Sequence, residues 1–476
     1  MDRKGSSTIV PDSLELFLAE HSSLVILNWV WSAYSGFWYS RALTIARTRS
    51  LAASGRPLRV HVSCIGGVVG ATVLPRALAS TIGKTNIQPD WNSLQVVDET
   101  HASVQCQVIE DLSLYREIGL DDGTARCPRT CLRRVLEAGR SKFACEFLAG
   151  FELEFYLLDL DESLQKDNAR LKSLQDLPRT WSAGACMRGP RAKCLEDCMT
   201  AIERSGLVVE QGHAESSWQQ YEISLGPLPV LEAIDGALVA AEIIRRVSRS
   251  HGFHASFRPL PIEGFEPTGL HLHLSLHGTT GQCSEGKSMS TKWSSATIGV
   301  DVARSFLAGM LQRLPALLAF GLPCEESYAR IKSPDTMGHF VAWGKTNSTV
   351  PINELANGYW ELRILDWTAN VYLAVAAFIS AGLLGIRDKS TVTIQDPKEL
   401  THRLSAKSRE DLGIVTRLPT NFGAALAQLI EERYCGLEAF IGEPALDLYV
   451  AIKQCESEAL ANMTARERDQ LYHMHY

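Results

Sequence analysis

The sequence predicts a fold of mixed helices and strands that is divided into two parts. The first part, over about residues 22–107, contains short alternating apolar runs separated by Gly, Pro and Ser, which is typical of a small β-rich domain. The second part, from about residue 127 to the end of the sequence, alternates strand-like and helix-like segments. A length of 476 residues allows about three domains, although large domains of mixed structure often take the place of two.

Three runs predict strands in the first part, at 24–31, 58–63 and 94–97. The glycine cluster at 66–70 is compatible with a phosphate-binding loop or with a tight turn. Pro75 follows soon after it, and neither a G-x-G-x-x-G nor a G-K-[ST] pattern is present. These two features favour the tight turn.

The second part begins with a predicted helix that has Pro128 in its first turn and ends at Gly139. A strand is predicted at 149–159 and a long helix at 229–251, which Gly252 ends. Further predicted segments are helices at 301–320 with a bend at Pro315, at 369–386, at 421–434 and at 444–461, and an insertion or irregular helical segment at 163–198.

Composition excludes several classes of protein. Hydrophobic residues make up 45% of the chain and charged residues 21%, which excludes a wholly disordered chain, a collagen, a coiled coil and a polytopic membrane protein. The formal net charge is −7, so there is no basic excess with which to bind nucleic acid. The longest apolar stretch, at 373–386, is shorter than the roughly 20 residues of a membrane-spanning helix and predicts a buried helix. No signal peptide is recognisable, and a cytoplasmic location is expected.

Twelve cysteines are scattered along the sequence without a C-x2-C pair. The closest spacings are Cys127/Cys131 and Cys194/Cys198, each about one helical turn. A zinc site would need a second pair of ligands, and neither cysteine pair has a matching one. The sequence therefore favours free thiols in a reducing compartment.

The most informative feature is a set of polar pairs at a spacing of two within apolar segments. The pairs are Glu152 and Glu154, His271 and His273, and Glu361 and Arg363, each with a leucine between its members. On a strand, this spacing places both side chains on one face of the sheet. A further segment carries Glu215 and Glu222, seven residues apart.

Two interpretations of these pairs are open from the residues alone. Each pair taken singly is compatible with the solvated face of an antiparallel sheet. Together, five acids and two histidines between large apolar residues favour a shared site, because a buried unpaired charge is unfavourable. Oxygen-rich sites with one imidazole suit Mg²⁺ or Mn²⁺, and two such ions near arginines are typical of phosphoryl or acyl-phosphate chemistry.

Longer motifs around these pairs make the sequence recognisable. In chain order they are GFELEF at 150–155, HAE at 213–215, QYE at 220–222, GLHLH at 269–273, SYAR at 327–330, AWG at 342–344, WELR at 360–363, IGE at 441–443 and YVAIK at 449–453. With these motifs the chain resembles the glutamine synthetase superfamily from about residue 22 to its end. The resemblance is greatest to the glutamine-synthetase-like amide ligases of fungi and bacteria.

The resemblance implies an α+β fold class. It places a small N-terminal β-grasp domain at 22–120 and a large catalytic domain at 121–476, which has a curved antiparallel sheet and flanking helices. It also implies a ring-shaped homo-oligomer in which neighbouring subunits share active sites.

The resemblance further assigns expected roles to individual residues. The substrate-side metal would be held by Glu154, Glu215 and Glu222, and the nucleotide-side metal by Glu152, His271 and Glu361. Glu210 and Ser275 match positions that contact ATP. His273 matches a position near the transferred phosphate, and Arg330 and Arg363 match arginines that bind the substrate carboxylate and the acyl phosphate.

The sequence also departs from the family pattern. Ser348 and Asn353 replace two phosphate-facing arginines, and Tyr359 stands where Arg or Lys is common. The loop at 266–269 lacks the glutamate-contacting pattern of true glutamine synthetases. The mobile glutamate flap aligns poorly at 333–339, and no residue matches the ammonium-binding Asp.

Three hypotheses about function follow. The first is a carbon–nitrogen ligase that uses ATP and Mg²⁺ or Mn²⁺ to join a small-molecule carboxylate to ammonia or an amine through an acyl phosphate, with a substrate pair other than glutamate and ammonia. The second is a metal-dependent enzyme of specialised metabolism that does not use ATP, which the lost arginines motivate. The third is a non-catalytic oligomeric scaffold, which the intact metal-ligand set disfavours.

Overall fold

The computed structural model describes residues 11–67, 82–115, 119–160, 181–279, 298–332 and 336–476. In these ranges the strands are β1 Ile26–Ser32, β2 Trp38–Thr44, β3 Leu58–His61, β4 Lys84–Pro89, β5 Gln95–Val96, β6 His101–Ile109, β7 Cys145–Asp159, β8 Val209–Ala214, β9 Gln220–Leu225, β10 Leu228–Pro229, β11 Phe253–Ser256, β12 Leu270–Gly278, β13 Trp343–Lys345, β14 Ile352–Ala356 and β15 Tyr359–Leu362. The helices are α1 Asp12–Glu20, α2 Ile45–Ser54, α3 Pro128–Phe143, α4 Pro190–Arg204, α5 Val230–Ser250, α6 Val300–Gly321, α7 Ala329–Lys332, α8 Val371–Arg387, α9 Ala406–Asp411, α10 Phe422–Glu431, α11 Glu438–Ile441, α12 Glu443–Ala461 and α13 Ala465–His475. This mixture confirms the α+β fold class.

The first six strands form one small sheet. Its strand order is β2-β1-β6-β4-β3, and β5 pairs with β6. β1 runs parallel to β6 and antiparallel to β2. Alternate residues of β1, namely Leu27, Trp29 and Trp31, are buried, which is why this segment forms a strand with one face toward the core. The three predicted strands of this part are present, although the glycine cluster at 66–70 falls largely outside the described residues.

The other nine strands form a curled sheet that carries the polar pairs. Its order is β13-β14-β15-β12-β7-β9-β8, with β10 and β11 also paired to β7. Every pairing in it is antiparallel except that of β13 with β14. The 15-residue strand β7 has neighbours on both sides, so a strand predicted at 149–159 becomes the centre of the sheet.

Buried helices pack with this sheet. Residues 371–385 of α8 are all buried, which confirms the buried helix predicted from its apolar sequence. α6 and α8 approach closely at Gly309, which has no side chain. A Cβ atom at this position would lie only 2.2 Å from the carbonyl oxygen of Ala381. In the described part of the chain, no helix combines the length and apolarity needed to cross a membrane.

A buried charge network joins α3, α5 and α8. The Arg129 guanidinium donates to both carboxylate oxygens of Asp235, at 3.2 and 2.7 Å, and to Asp90 at 2.7 Å. The Tyr372 hydroxyl donates to Asp235 at 2.6 Å. Arg129 and Asp235 are both buried, so each charge depends on the other for compensation. Since Asp90 follows β4, the network also ties the small sheet to the helices.

Three predicted segments differ in detail from the structure. The helix predicted to end at Gly139 continues to Phe143. The helix predicted at 421–434 ends at Glu431, because Tyr434 and Cys435 adopt positive φ angles of 62° and 56° that interrupt helical hydrogen bonding. Of the segment at 163–198, the structure describes residues from 181 onward, and Pro190–Arg204 forms a regular helix. Its Cys194 and Cys198 are buried beside the Ser248 hydroxyl, with sulfur–oxygen distances of 3.6 and 4.0 Å.

Candidate functional site

The register of the curled sheet brings the predicted polar pairs together. His271 of β12 lies opposite Glu152 of β7. Glu154 lies opposite Glu222 of β9. Across β12, Glu361 of β15 is the partner of His273. Residues more than 200 positions apart in the chain therefore meet on one face of the sheet.

His271 lies at the centre of the site. Its Nδ1 is 2.8 Å from Glu152 Oε2 and 3.6 Å from Glu361 Oε1, and its Nε2 is 3.2 Å from Glu154 Oε1. The Arg330 guanidinium donates to Nε2 at 2.9 Å. This donor makes Nε2 an acceptor, so the ring proton is on Nδ1 and is donated to Glu152.

His273 extends this network toward Tyr359. The Tyr359 hydroxyl is 2.8 Å from His273 Nδ1, and His273 Nε2 is 2.9 Å from Glu152 Oε1. Burial would raise the pKa of Glu152, but the hydrogen bonds from His271 and His273 outweigh it and lower that pKa below its usual range. Burial would likewise lower the pKa of His273, but the bond to Glu152 raises it. Glu152 is thus held as a carboxylate by two imidazoles.

A second group of acids lies beside the first, with Glu215 directly after β8 and Glu222 on β9. Burial, together with the charges of Glu154 and Glu222, raises the pKa of Glu215 to about 8. Burial also raises the pKa of Glu222, whose carboxylate accepts from the Ser224 hydroxyl at 3.0 Å. The negative charges of these acids repel one another, and a bound cation would reduce that repulsion.

The chemistry of the donors fits divalent metal ions. Three groups place one ligand atom from each member within 4.8 Å of the others: Glu152, Glu222 and His271; Glu152, His273 and Glu361; and His213, Glu215 and Glu222. Each group combines two carboxylates with one imidazole. Oxygen-rich donor sets of this kind suit Mg²⁺ or Mn²⁺. Five of the six residues predicted as metal ligands belong to these groups, and Glu154, which belongs to none of them, lies 3.2 Å from His271 Nε2.

Both predicted arginines lie against the acids. The Arg330 side chain is buried, is 4.0 Å from Glu154 Oε2 and donates to the Arg363 carbonyl at 3.2 Å. The Arg363 guanidinium donates to Glu361 and, through Nε, to the Thr336 carbonyl at 3.0 Å. The two cations therefore border the acidic cluster at its β15 side.

A cavity of about 450 Å³ opens next to Glu152. Glu210 and Ser275, the two residues predicted to contact ATP, both line it, together with His273 and Tyr359. The Ser275 hydroxyl is also 2.8 Å from His277 Nε2. The volume is in the range of small-molecule sites, so the predicted nucleotide residues share one pocket of suitable size.

Asn353 takes a role that sequence reasoning missed. Its side-chain amide donates to Glu361 Oε2 at 2.8 Å, and its Oδ1 accepts from the Asn347 backbone amide at 2.8 Å. The residue is buried and lies opposite Glu361 in the β14–β15 register. Where the family pattern has an arginine, this chain has a residue that orients a predicted metal ligand. Only that cross-strand pairing, which the sequence does not state, could have indicated the contact.

Arg258 is not available to replace the missing arginines. Its Nε and NH2 atoms donate to the two oxygens of Glu326, at 2.7 and 2.6 Å, and its NH1 donates to Asp469. Ser348, the other replacement, is exposed. Arg330 and Arg363 are arginines whose guanidinium groups do contact the cluster, at His271 and Glu361.

Replacing Asn353 by alanine is expected to weaken Mn²⁺ binding by roughly 10–100-fold, the usual effect of removing a group that orients a metal ligand. The physical reason is that Glu361 Oε2 loses its donor and the carboxylate can rotate. Isothermal titration with Mn²⁺ measures the change. Asn357→Ala, in the same hairpin but exposed and bonded to the Ile298 carbonyl, serves as the control. Equal Mn²⁺ affinities for the two variants would contradict the role of Asn353.

Comparison with known proteins shows the family of the chain. The family model described as "Glutamine synthetase, catalytic domain" matches residues 125–471, which include every residue of the site. The chain belongs to the glutamine synthetase family. The matched range contains the acidic cluster, His271 and the two arginines.

Three relatives are 27–30% identical to this chain. Protein FluG of Emericella nidulans is 30% identical over 76% of this chain and 41% of its own length. Type-1 glutamine synthetase 1 of Dictyostelium discoideum is 27% identical over 71% of this chain and 66% of its own length. Gamma-glutamylpolyamine synthetase GlnA3 of Streptomyces coelicolor is 28% identical over 71% and 70%. The chain thus spans less than half of FluG and about two thirds of the Dictyostelium protein.

Solved structures share the fold. The GmaS/ADP complex in conformation 1 has a TM-score of 0.75 at 20% identity and covers 97% of this chain and 99% of its own. A novel glutamine synthase homolog has a TM-score of 0.72 at 24% identity, with coverage of 95% and 99%. The glutamine synthetase fold therefore extends through the small N-terminal sheet as well as the curled sheet.

Proposed function

We propose that this chain is an ATP- and divalent-metal-dependent ligase that joins a small-molecule carboxylate to an amine or to ammonia. The observation that carries the proposal is the convergence of five glutamates, His271 and two buried or half-buried arginines on one face of the curled sheet, next to a cavity lined by Glu210 and Ser275. The name of the Streptomyces relative, a gamma-glutamylpolyamine synthetase, supports amide formation by this family beyond glutamine itself.

The side chains divide into a metal-binding part and a substrate-binding part. Glu154, Glu215 and Glu222 would hold the substrate-side ion, and Glu152, His271 and Glu361 the nucleotide-side ion. Bound there, Mg²⁺ or Mn²⁺ supplies positive charge that neutralises phosphoryl oxygens. Arg330 and Arg363 would orient the carboxylate that is to be activated, and His273, held by Glu152 and Tyr359, would donate to phosphoryl oxygen.

The replaced arginines bear on the choice of substrate. A charge-assisted hydrogen bond contributes about 1.5–3 kcal/mol, so losing two arginines would cost about 3–6 kcal/mol at a transition state that needs both. That corresponds to roughly 10²–10⁴ in rate. We therefore propose a substrate pair other than glutamate and ammonia, in specialised or nitrogen metabolism.

The organisation of the protein is part of the same proposal. A domain boundary near residue 120 is supported by the end of β6 at Ile109 and the start of α3 at Pro128. The segments 22–120 and 121–476 would then be the β-grasp and catalytic domains. The proposal also includes a cytoplasmic, ring-shaped homo-oligomer with active sites shared between subunits, for which the resemblance to the family is the support.

An ADP-release screen tests the function. The purified chain is incubated with ATP, Mn²⁺ and a matrix of carboxylates and amines, including glutamate with polyamines, and each product is identified by mass spectrometry. We expect ADP release that requires both a carboxylate and an amine and yields an amide. Saturable Mn²⁺ binding without ADP release from any pair would contradict the proposal.

A second candidate is a metal-dependent enzyme that does not use ATP. The contact of Asn353 with Glu361, at a position where the family has a phosphate-facing arginine, favours it. The two candidates differ in nucleotide binding. Saturable ATP binding that Glu210→Ala abolishes would exclude the ATP-independent enzyme.

A further inference from the structure

His213 lies among the substrate-side acids but has no role in the proposed site. It is the β8 residue opposite Glu222, two positions before Glu215. Its Nε2 is 3.4 Å from Glu222 Oε1, and its Nδ1 is 3.7 Å from Glu215 Oε1. His213 thus offers an imidazole to the acids that would hold the substrate-side ion.

We infer that His213 Nε2 is an additional ligand of the substrate-side metal, so that this site binds Co²⁺ and Mn²⁺ in preference to Mg²⁺. The inference rests on the metal site of the proposed function and deepens it. It concerns which ion the site selects, and it does not depend on which carboxylate or amine reacts.

The hydrogen bond of the other ring nitrogen supports Nε2 as the ligand atom. His213 Nδ1 is 3.1 Å from the Ala214 carbonyl oxygen, which can only accept, so Nδ1 carries a proton. In the neutral ring, Nε2 then has its lone pair free. A histidine whose Nδ1–H donates to a backbone carbonyl is the usual arrangement for metal binding through Nε2.

The distance to Glu222 leaves room for a cation. Imidazolium–carboxylate hydrogen bonds are about 2.7–2.9 Å long, and Nε2 to Oε1 is 3.4 Å. Two ligand atoms at about 2.1 Å from one ion lie at most about 4.2 Å apart, so the observed separation suits a shared ion. The Ser224 hydroxyl donates to the same Oε1 at 3.0 Å and fixes the carboxylate beside the ring.

The competing explanation is an ion pair without metal. The nearby Glu222 carboxylate raises the pKa of His213 to about 9 when no ion is bound, so the metal-free ring would be charged. In that case His213 would compensate the acids and contribute nothing to ion selection. The two explanations differ in whether Nε2 is bonded to a proton or to the metal ion, and spectroscopy distinguishes these directly.

Ligand chemistry predicts the consequence for selectivity. Imidazole nitrogen strengthens binding of Co²⁺, Mn²⁺ and Zn²⁺ far more than of Mg²⁺, which prefers oxygen. A site of three carboxylates would discriminate weakly among these ions. His213 would add a fourth ligand, a nitrogen atom. The ratio of Co²⁺ affinity to Mg²⁺ affinity should therefore fall when His213 is replaced.

The test measures binding of metal alone to the full chain, with no nucleotide or substrate. His213→Gln is titrated with Co²⁺ and with Mg²⁺ beside wild type, and His251→Gln, a partly exposed histidine paired with Asp197, is the control. We expect His213→Gln to lose at least about tenfold in Co²⁺ affinity at one site and less than about threefold in Mg²⁺ affinity. A Co²⁺ affinity within about twofold of wild type would overturn the inference.

A spectroscopic arm keeps the test independent of folding effects. Electron spin echo modulation of bound Mn²⁺ detects directly coordinated imidazole nitrogen. In the variant that carries both His271→Gln and His273→Gln, we expect a remaining ¹⁴N coupling, which is lost when His213→Gln is added. Retention of that coupling in the triple variant would reject His213 as a ligand. Because no step uses ATP, these outcomes are separate from the ADP-release screen.

Discussion

Replacing Glu152 by glutamine is expected to reduce ADP release by about 10²–10³-fold, the scale of removing one preorganised electrostatic group from an active site. Glu152 belongs to two of the three potential metal groups, and its two oxygens contact His271 and His273. Glutamine keeps the shape but removes the charge and one acceptor. The measurement is the rate of ADP release with the substrate pair from the screen, together with Mn²⁺ stoichiometry by titration.

Glu146→Gln is the matched control for this substitution. Glu146 lies on the same strand, β7, but pairs with Arg140 at 2.9 Å at a partly exposed position. We expect its ADP release to stay within about twofold of wild type, because an exposed ion pair contributes little. Similar losses of ADP release in both variants would show that the effect comes from altering β7. The proposed role of Glu152 as a metal ligand would then be contradicted.

Replacing Asp235 by alanine is expected to lower the free energy of unfolding by about 3–5 kcal/mol, because it leaves the buried Arg129 guanidinium without its partner. Arg129 donates two hydrogen bonds to Asp235, and the Tyr372 hydroxyl donates a third. Asp90 alone would remain beside Arg129. Urea denaturation followed by circular dichroism measures the change.

Glu232→Ala, about one turn earlier on the same helix, controls for the loss of an acid from α5. Glu232 is exposed, and its removal is expected to change the free energy of unfolding by no more than about 0.5 kcal/mol. If Asp235→Ala were as stable as Glu232→Ala, the network would not be what connects α3, α5 and α8.

Local sequence patterns were sufficient for much of the fold. Residues 149–159 were predicted as a strand from their apolar and aromatic sequence, and the structure confirms this within Cys145–Asp159. The long helix before Gly252 is confirmed as Val230–Ser250, because helical spacing of apolar residues and a terminal glycine are both local signals.

What could not be predicted depends on strand register. The sequence shows that Glu152 and Glu154 share a face, but not that Ser224 and Glu222 lie opposite them. Such pairings join segments about 70 residues apart, and no local preference specifies them. Asn353 was interpreted only as a lost arginine for the same reason, since its contact with Glu361 arises across two strands. Motif order supplied the predicted site residues, and their individual roles stay a prediction.

The cross-strand arrangement of the acids has a consequence for the stability of the folded state. An ion held by Glu154, Glu215 and Glu222 would touch β7, the end of β8 and β9 at once, and so would bind only the assembled sheet. By mass action, an ion at 100 times its dissociation constant adds about 2.7 kcal/mol to the stability of whatever binds it. The supply of divalent cation around the protein would then set the stability of the assembled sheet.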